Sequence, residues 1–288
     1  MTFSRDSIIG CIVGGAIGDL LGGVAERGGR LSLSDDTQLT LATCEALASG
    51  TQTVSPEAIA ATFCQWFRAG SLSGLGSSTL KALRDLAAGA HWALSGARGE
   101  MAAGNGAAMR IAPLAFRLQP FDVSHRVIIR DVCRITHHSD EAYIGALAVL
   151  LAMHTNLEQP VRSFFENLVE ALPDSRVRDR MAAFADVSGE TPVADLVARF
   201  GASGYVVETV PLALFVARRM RFEGLSVLLA ELVQAGGDAD TIGSIAGQIA
   251  GAHLGFSRLL PELGGLPSLA DVIARAEAFA DSCCTPAR

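Results

Sequence analysis

The chain has 288 residues, of which 50% are hydrophobic, 18% charged and 6% aromatic, with a formal net charge of -7. That much apolar material supports a sizeable core and excludes an intrinsically disordered chain. The acidic balance offers no basic surface for nucleic acid, which argues against a nucleic-acid partner, and it favours cationic partners, metal ions among them.

Residues 6–22 open with an apolar run, Ile8 to Leu21, preceded by Arg5. The outline is that of a secretory leader. Asp19 interrupts the run, and Gly14, Gly15 and Gly18 weaken it, so it reads as a buried helix. No stretch reaches the ~18 uninterrupted apolar residues of a membrane span, so no membrane partner is expected. The six cysteines, Cys11, Cys44, Cys64, Cys133, Cys283 and Cys284, match no zinc spacing. They read as reduced thiols of a cytoplasmic protein, the last two in a tail.

Apolar spacing is helical almost everywhere. A helix is predicted over 36–49, through Leu39, Leu41, Ala42, Ala46 and Leu47. Ser55 offers an N-cap, with Pro56 at the first helical position and Glu57 in the first turn, for a helix to about Arg68. A Gly/Ser loop, Ser71 to Ser78, leads into another helix. Further helices are predicted over 106–117, 122–136, 140–155, 158–171, 174–186, 191–200, 205–220, 223–235, 239–256 and 267–281. Period-two alternation is nowhere sustained, which argues against a sheet. The expected fold is all-α, a compact orthogonal bundle forming a single domain over 1–288 with the last few residues as a tail.

Five stretches carry candidate chemistry. In Ser34-Asp35-Asp36-Thr37, two carboxylates flanked by hydroxyls precede a helical pattern. They fit a helix cap on the positive end of the dipole, and equally a site for a hard cation such as Mg²⁺ or Mn²⁺. Gly236-Gly237-Asp238-Ala239-Asp240-Thr241 also sits at a helix start, and the helix behind it (Ile242, Ile245, Ala246, Ile249) looks fully buried. Acids there are costly unless paired or metal-bound. Gly104-Asn105-Gly106 opens a stretch to Arg110 that is either an ordinary junction or an exposed row of N–H groups for an anion. Asp19, with Glu26 seven residues on, either ends a helix or joins a site. The adjacent His137 and His138 do not share a helix face, so they make a poor joint metal site, although one of them is free to touch a ligand. Convergence of the two acid clusters would bring together carboxylates that repel one another, and divalent cations are the simplest neutralising partner.

Taken in order along nearly the whole chain, Gly18-Asp19 through Glu26, Asp35-Asp36-Thr37, Gly104 to Arg110, Thr136-His137 and Gly237 to Thr241 resemble the ADP-ribosylglycohydrolase family. The resemblance implies an all-α fold with two Mg²⁺ or Mn²⁺ ions, with Ser34, Asp35, Asp36, Asp238, Asp240 and Thr241 as ligands. It further implies cleavage at C1″ of ADP-ribose, releasing it from an ADP-ribosylated target, protein above all. Asp36 or Glu26 would move the proton, Gly104, Asn105 and Gly106 would hold the pyrophosphate, His137 would lie close to the ADP-ribose, and Asp19 would support the site. A small ADP-ribose derivative such as O-acetyl-ADP-ribose, or a catalytically silent ADP-ribose binder, are the alternatives. Two departures from the family pattern stand out: Ser34 replaces the usual Thr, and the segment between Glu26 and Ser34, which shapes the substrate entrance in relatives, is short. Oligomeric state is left open, with a monomer favoured.

Overall fold

Ser4 starts the first helix, α1 (Arg5–Gly22), by accepting the backbone N–H of Ser7 at 3.0 Å. In the computed structural model, which describes residues 3–49, 53–267 and 269–284, almost all of α1 is buried. The second helix, α2 (Asp35–Ser49), begins on the acid pair. The third, α3 (Pro56–Arg68), has Ser55 as its cap and Pro56 at its first position, as predicted. Next come α4 (Ser77–Ala87) and the single-turn α5 (Trp92–Ser95).

The predicted helix over 106–117 is not formed. Two 3₁₀ segments, Asn105–Arg110 and Ala112–Phe116, take its place. The Met109 carbonyl would bond the N–H of residue 113 in an α-helix, and residue 113 is proline. That carbonyl instead accepts Gln248 Nε2 at 2.7 Å and Thr40 Oγ1 at 3.3 Å. The segment is thereby tied to two other helices.

The chain continues through α6 (Val123–Arg134), α7 (Asp140–His154), α8 (Val161–Ala171), α9 (Arg176–Ala185) and α10 (Val193–Phe200). It closes with α11 (Val206–Glu223), α12 (Leu225–Ala235), α13 (Ala239–Leu254), α14 (Phe256–Leu259) and α15 (Ala270–Cys284). Among the described residues the extended structure amounts to a two-residue parallel pairing of Ala97–Arg98 with His137–His138 and an isolated antiparallel bridge between Gly104 and Tyr205. The fold is all-α, as expected. Residues 285–288 of the predicted tail lie outside the described residues, whereas Cys283 and Cys284 fall in the last turn of α15. The cysteines are free. No helix among the described residues is long and apolar enough to cross a membrane.

The most consequential packing joins α1 to α13. Glycines recur every fourth residue on both: Gly10, Gly14, Gly18 and Gly22 on α1 and its end, Gly243, Gly247 and Gly251 on α13. A Cβ on Gly10 would strike the Gly251 carbonyl, on Gly14 that of Gly247, on Gly18 that of Gly243, and on Gly22 that of Ala239. The descending order of partners makes the helices antiparallel. One helical turn advances about 3.6 residues, so a four-residue repeat keeps the glycines on one stripe. Backbone then meets backbone directly. The end of α1 is consequently held against the start of α13, and this is where the acids lie.

Candidate metal centre and substrate cavity

Asp19 sits in the last turn of α1 and is fully buried. Its Oδ2 accepts the Ser34 backbone N–H at 2.9 Å and the Thr37 hydroxyl at 2.7 Å, so it anchors the start of α2. Ser34 Oγ lies 2.8 Å from Asp19 Oδ1 and 3.0 Å from Asp36 Oδ2. Its single proton can serve only one of them at a time. Thr241 Oγ1, from the first turn of α13, is 3.3 Å from Asp36 Oδ2. The residue-35 and residue-239 clusters therefore meet, 205 positions apart in sequence.

Asp36 is 2% exposed, and its Oδ1 is buried with no hydrogen-bond partner. An orphaned carboxylate oxygen is expensive to leave unpaired. Burial, reinforced by Asp19, Asp35, Asp240 and Asp238, holds the Asp36 carboxyl well above the usual carboxylate range. Burial chiefly pushes Asp35 up to about 7, with Asp19 and Asp240 adding to the effect. Asp238 also rises to about 7, first from burial and then from Asp240. Glu26 is raised by burial and by Asp240.

Asp19, Asp36 and Asp240 each offer a carboxylate oxygen within 4.8 Å of the others, and so do Glu26, Asp238 and Asp240. Asp240 belongs to both triads. One internal cation is present: Arg27 Nη2 bonds Asp19 Oδ1 at 2.7 Å and Asp240 Oδ2 at 2.9 Å. Its Nη1 reaches the carbonyls of Asp19 and Ser32. Arg27 offsets part of the charge, but it leaves Asp36 Oδ1 untouched. The donor set, with one orphaned oxygen and several mutually repelling acids, fits a divalent cation.

Glu26, Asp35, Asp36, Asp238 and Asp240, together with Thr241 and His137, line a cavity of about 390 Å³. Gly104, Asn105 and Gly106 form part of its wall. Asn105 engages its own donors within the protein. Its N–H bonds the Gly204 carbonyl at 3.0 Å, and its amide Nδ2 bonds Thr209 Oγ1 at 3.0 Å and Asp238 Oδ2 at 2.5 Å. All three of its N–H donors are thus engaged, and Asn105 fixes Asp238. A second cavity, about 830 Å³, adjoins the first through Met101, Gly104 and Gly204 and is lined by Tyr205, Arg176 and Glu141. Met101 is 93% exposed at the junction.

The sequence implies a supporting role for Asp19 and carries no sign of Arg27 or Tyr205. Asp19 lies in an otherwise apolar run, a signal that a buried acid needs a partner. Arg27 and Tyr205 had no comparable local mark.

An all-α protein whose two distant acid clusters close together on a buried, acid-rich cavity floor is the class that fold and site define. Residues 2–286 match the family model described as ADP-ribosylglycohydrolase, and the chain belongs to that family. It is 31% identical over 238 residues to an uncharacterized protein of Archaeoglobus fulgidus, covering 80% of this chain and 73% of that one. It is 27% identical to ADP-ribosylhydrolase ARH3 of Danio rerio, with 87% and 83% covered, and 27% identical to ADP-ribosylarginine hydrolase Tri1 of Pseudomonas putida, with 90% and 72% covered. A solved structure, an ADP-ribosylglycohydrolase-related protein complex, shares the fold with a TM-score of 0.66 at 24% identity, covering 97% of this chain and 98% of that one. Family membership makes hydrolase the broad class.

Proposed function

We propose that the protein hydrolyses the glycosidic bond at C1″ of ADP-ribose and releases it from an ADP-ribosylated protein. The observation that carries the proposal is the orphaned Oδ1 of Asp36, buried in one of two acid triads that share Asp240 beside an open cavity. Asp35, Asp36, Asp238 and Asp240, with Ser34 and Thr241 as hydroxyl donors and Asp19 within reach, would hold two Mg²⁺ or Mn²⁺ ions. Bound there, such ions supply Lewis acidity toward ribose hydroxyls and a water.

The chain's own residues do the rest. Cleavage at C1″ develops oxocarbenium-like charge, which the surrounding carboxylates stabilise. Glu26 is the better placed of the two proton carriers: it is exposed, lines the cavity and has a raised pKa, whereas Asp36 is buried. His137 and the small residues Gly104 and Gly106 bound the same cavity and would border the diphosphate. The adjoining cavity, with the Tyr205 ring on its wall, has room for the nucleoside. The cytoplasm is the proposed compartment.

Asp238→Ala and Asp240→Ala are expected to stay folded while losing Mn²⁺ binding in calorimetry and release of ADP-ribose from modified protein. Full activity in either variant defeats the metal assignment. A panel of defined ADP-ribosylated substrates, with and without chelator, reads out the acceptor. Turnover of O-acetyl-ADP-ribose alone would favour the small-molecule alternative.

A further inference from the structure

Arg110 ends the 3₁₀ segment that forms the cavity wall, and it is completely buried. No carboxylate among the described residues pairs with it within 4.0 Å. Its guanidinium lies 4.8 Å from the centroid of the Phe63 ring. Nη2 donates to the Val132 carbonyl at 3.3 Å and to Thr136 Oγ1 at 2.8 Å, while Nε and Nη1 find no acceptor. A buried cation with so few partners is expensive to keep, which directs attention to what its one short hydrogen bond accomplishes.

That bond reaches a buried hydroxyl. Thr136 is 0% exposed, and its Oγ1 lies 2.8 Å from Nδ1 of the next residue, His137. Donor and acceptor accounting then decides the histidine's tautomer. Arginine only donates, so it occupies a lone pair of Oγ1. The hydroxyl has one proton, and the only acceptor described for it is His137 Nδ1. If Nδ1 carried the ring proton instead, the hydroxyl proton would be buried without a partner. Nδ1 is therefore the acceptor, and the ring proton sits on Nε2. Nε2 is on the cavity side: a Cβ built on Gly104 or on Gly106 would stand 3.3 Å from it.

We propose that Arg110 and Thr136 are positioning residues that lock His137 as the neutral Nε2–H tautomer, a permanently uncharged donor for an oxygen of the bound ligand. Burial, with the nearby Arg110 charge, pushes the His137 imidazole down to about 3, so the donor does not titrate under physiological conditions. A neutral donor differs from a cationic one in the acidic cavity: it offers no ion pair to Asp35 or Asp238, so the ring is not drawn away from the ligand. The identity of that ligand as ADP-ribose rests on the proposed function, whereas the tautomer does not.

The experiment is a nitrogen–proton correlation spectrum of the imidazoles of the full-length ¹⁵N-labelled protein, with His137 assigned by its absence in His137→Gln. The wild type is expected to show His137 protonated at Nε2 only, unchanged from about pH 5 to 8. Thr136→Val removes the proton that holds Nδ1 as an acceptor. It is expected to give mixed tautomers and about tenfold weaker ADP-ribose binding, the scale of one lost hydrogen bond. Thr136→Ser is expected to restore both readings. Arg110→Met frees the hydroxyl and removes the charge, and the His137 signal should then begin to shift as the pH approaches 5. A wild-type ring protonated at Nδ1, or a Thr136→Val protein that keeps pure Nε2–H and wild-type affinity, overturns the proposal. A wild type with the expected tautomer but no affinity for ADP-ribose would instead count against the ligand, and the two failures are told apart.

Discussion

Replacing Gly14 by alanine is the most direct test of how the acid clusters are brought together. A methyl at this position strikes the carbonyl oxygen of Gly247, approaches its carbonyl carbon at 3.1 Å and reaches the Gly251 Cα at 3.3 Å. All three obstacles are backbone, so no rotamer change relieves the contact and the helices must part. Against backbone that cannot swing away, overpacking falls at the upper end of its usual range, about 2–3 kcal/mol. The gain in helix propensity from glycine to alanine returns about 1 kcal/mol. A net loss of about 1–2 kcal/mol lowers the Tm by about 2–3 °C for a chain of this size. Gly189→Ala is the control, because its nearest obstacle is a Val161 methyl at an ordinary 3.4 Å. That change should stay within about 0.5 kcal/mol. Since α1 carries Asp19 and the first turn of α13 carries Asp240, the same separation should weaken Mn²⁺ binding several-fold, read by calorimetry. A Gly14→Ala protein that melts at or above the wild-type temperature with unchanged Mn²⁺ affinity refutes the reasoning.

Three further outcomes follow from the site. Arg27→Gln removes the guanidinium that bridges Asp19 and Asp240; it should bind Mn²⁺ several-fold more tightly, yet melt lower than wild type without metal, with titration calorimetry and thermal denaturation as the measurements. The carboxyls of Asp35 and Asp238 are raised to about 7, above their unfolded values. The native protein thus holds more protons than the unfolded chain between about pH 4 and 7, and the metal-free protein loses stability as pH rises through that window; a Tm series at several pH values should show this fall, and saturating Mg²⁺ should flatten it. Asn105→Asp replaces the amide donor 2.5 Å from Asp238 Oδ2 with a further carboxylate; release of ADP-ribose should drop at least about tenfold, the scale of an interaction worth 1.4 kcal/mol, while far-ultraviolet circular dichroism stays unchanged.

Local chemistry in the chain was enough to specify most of the helices. Ser4 and Ser55 cap where a short polar side chain precedes a helical pattern, and Pro56 sits where a missing N–H does no harm. The acid pairs at 35–36 and 238–240 stand out as sequence because carboxylates ahead of apolar helices demand an explanation. Signals of that kind act over a few residues. Everything that depended on a distant partner was decided by tertiary packing. The 106–117 segment looked helical, yet Pro113 and the side chains of Gln248 and Thr40 took the Met109 carbonyl out of any helix. Asn105 stands in a recognisable stretch, but its partner Asp238 is 133 positions away, and that contact, which braces an acid, has no local signal. Arg27 became the internal cation only because the glycine stripes let α1 and α13 approach backbone to backbone. Capping and periodicity are set by neighbours along the chain, whereas charge pairing and donor satisfaction are set by neighbours in space.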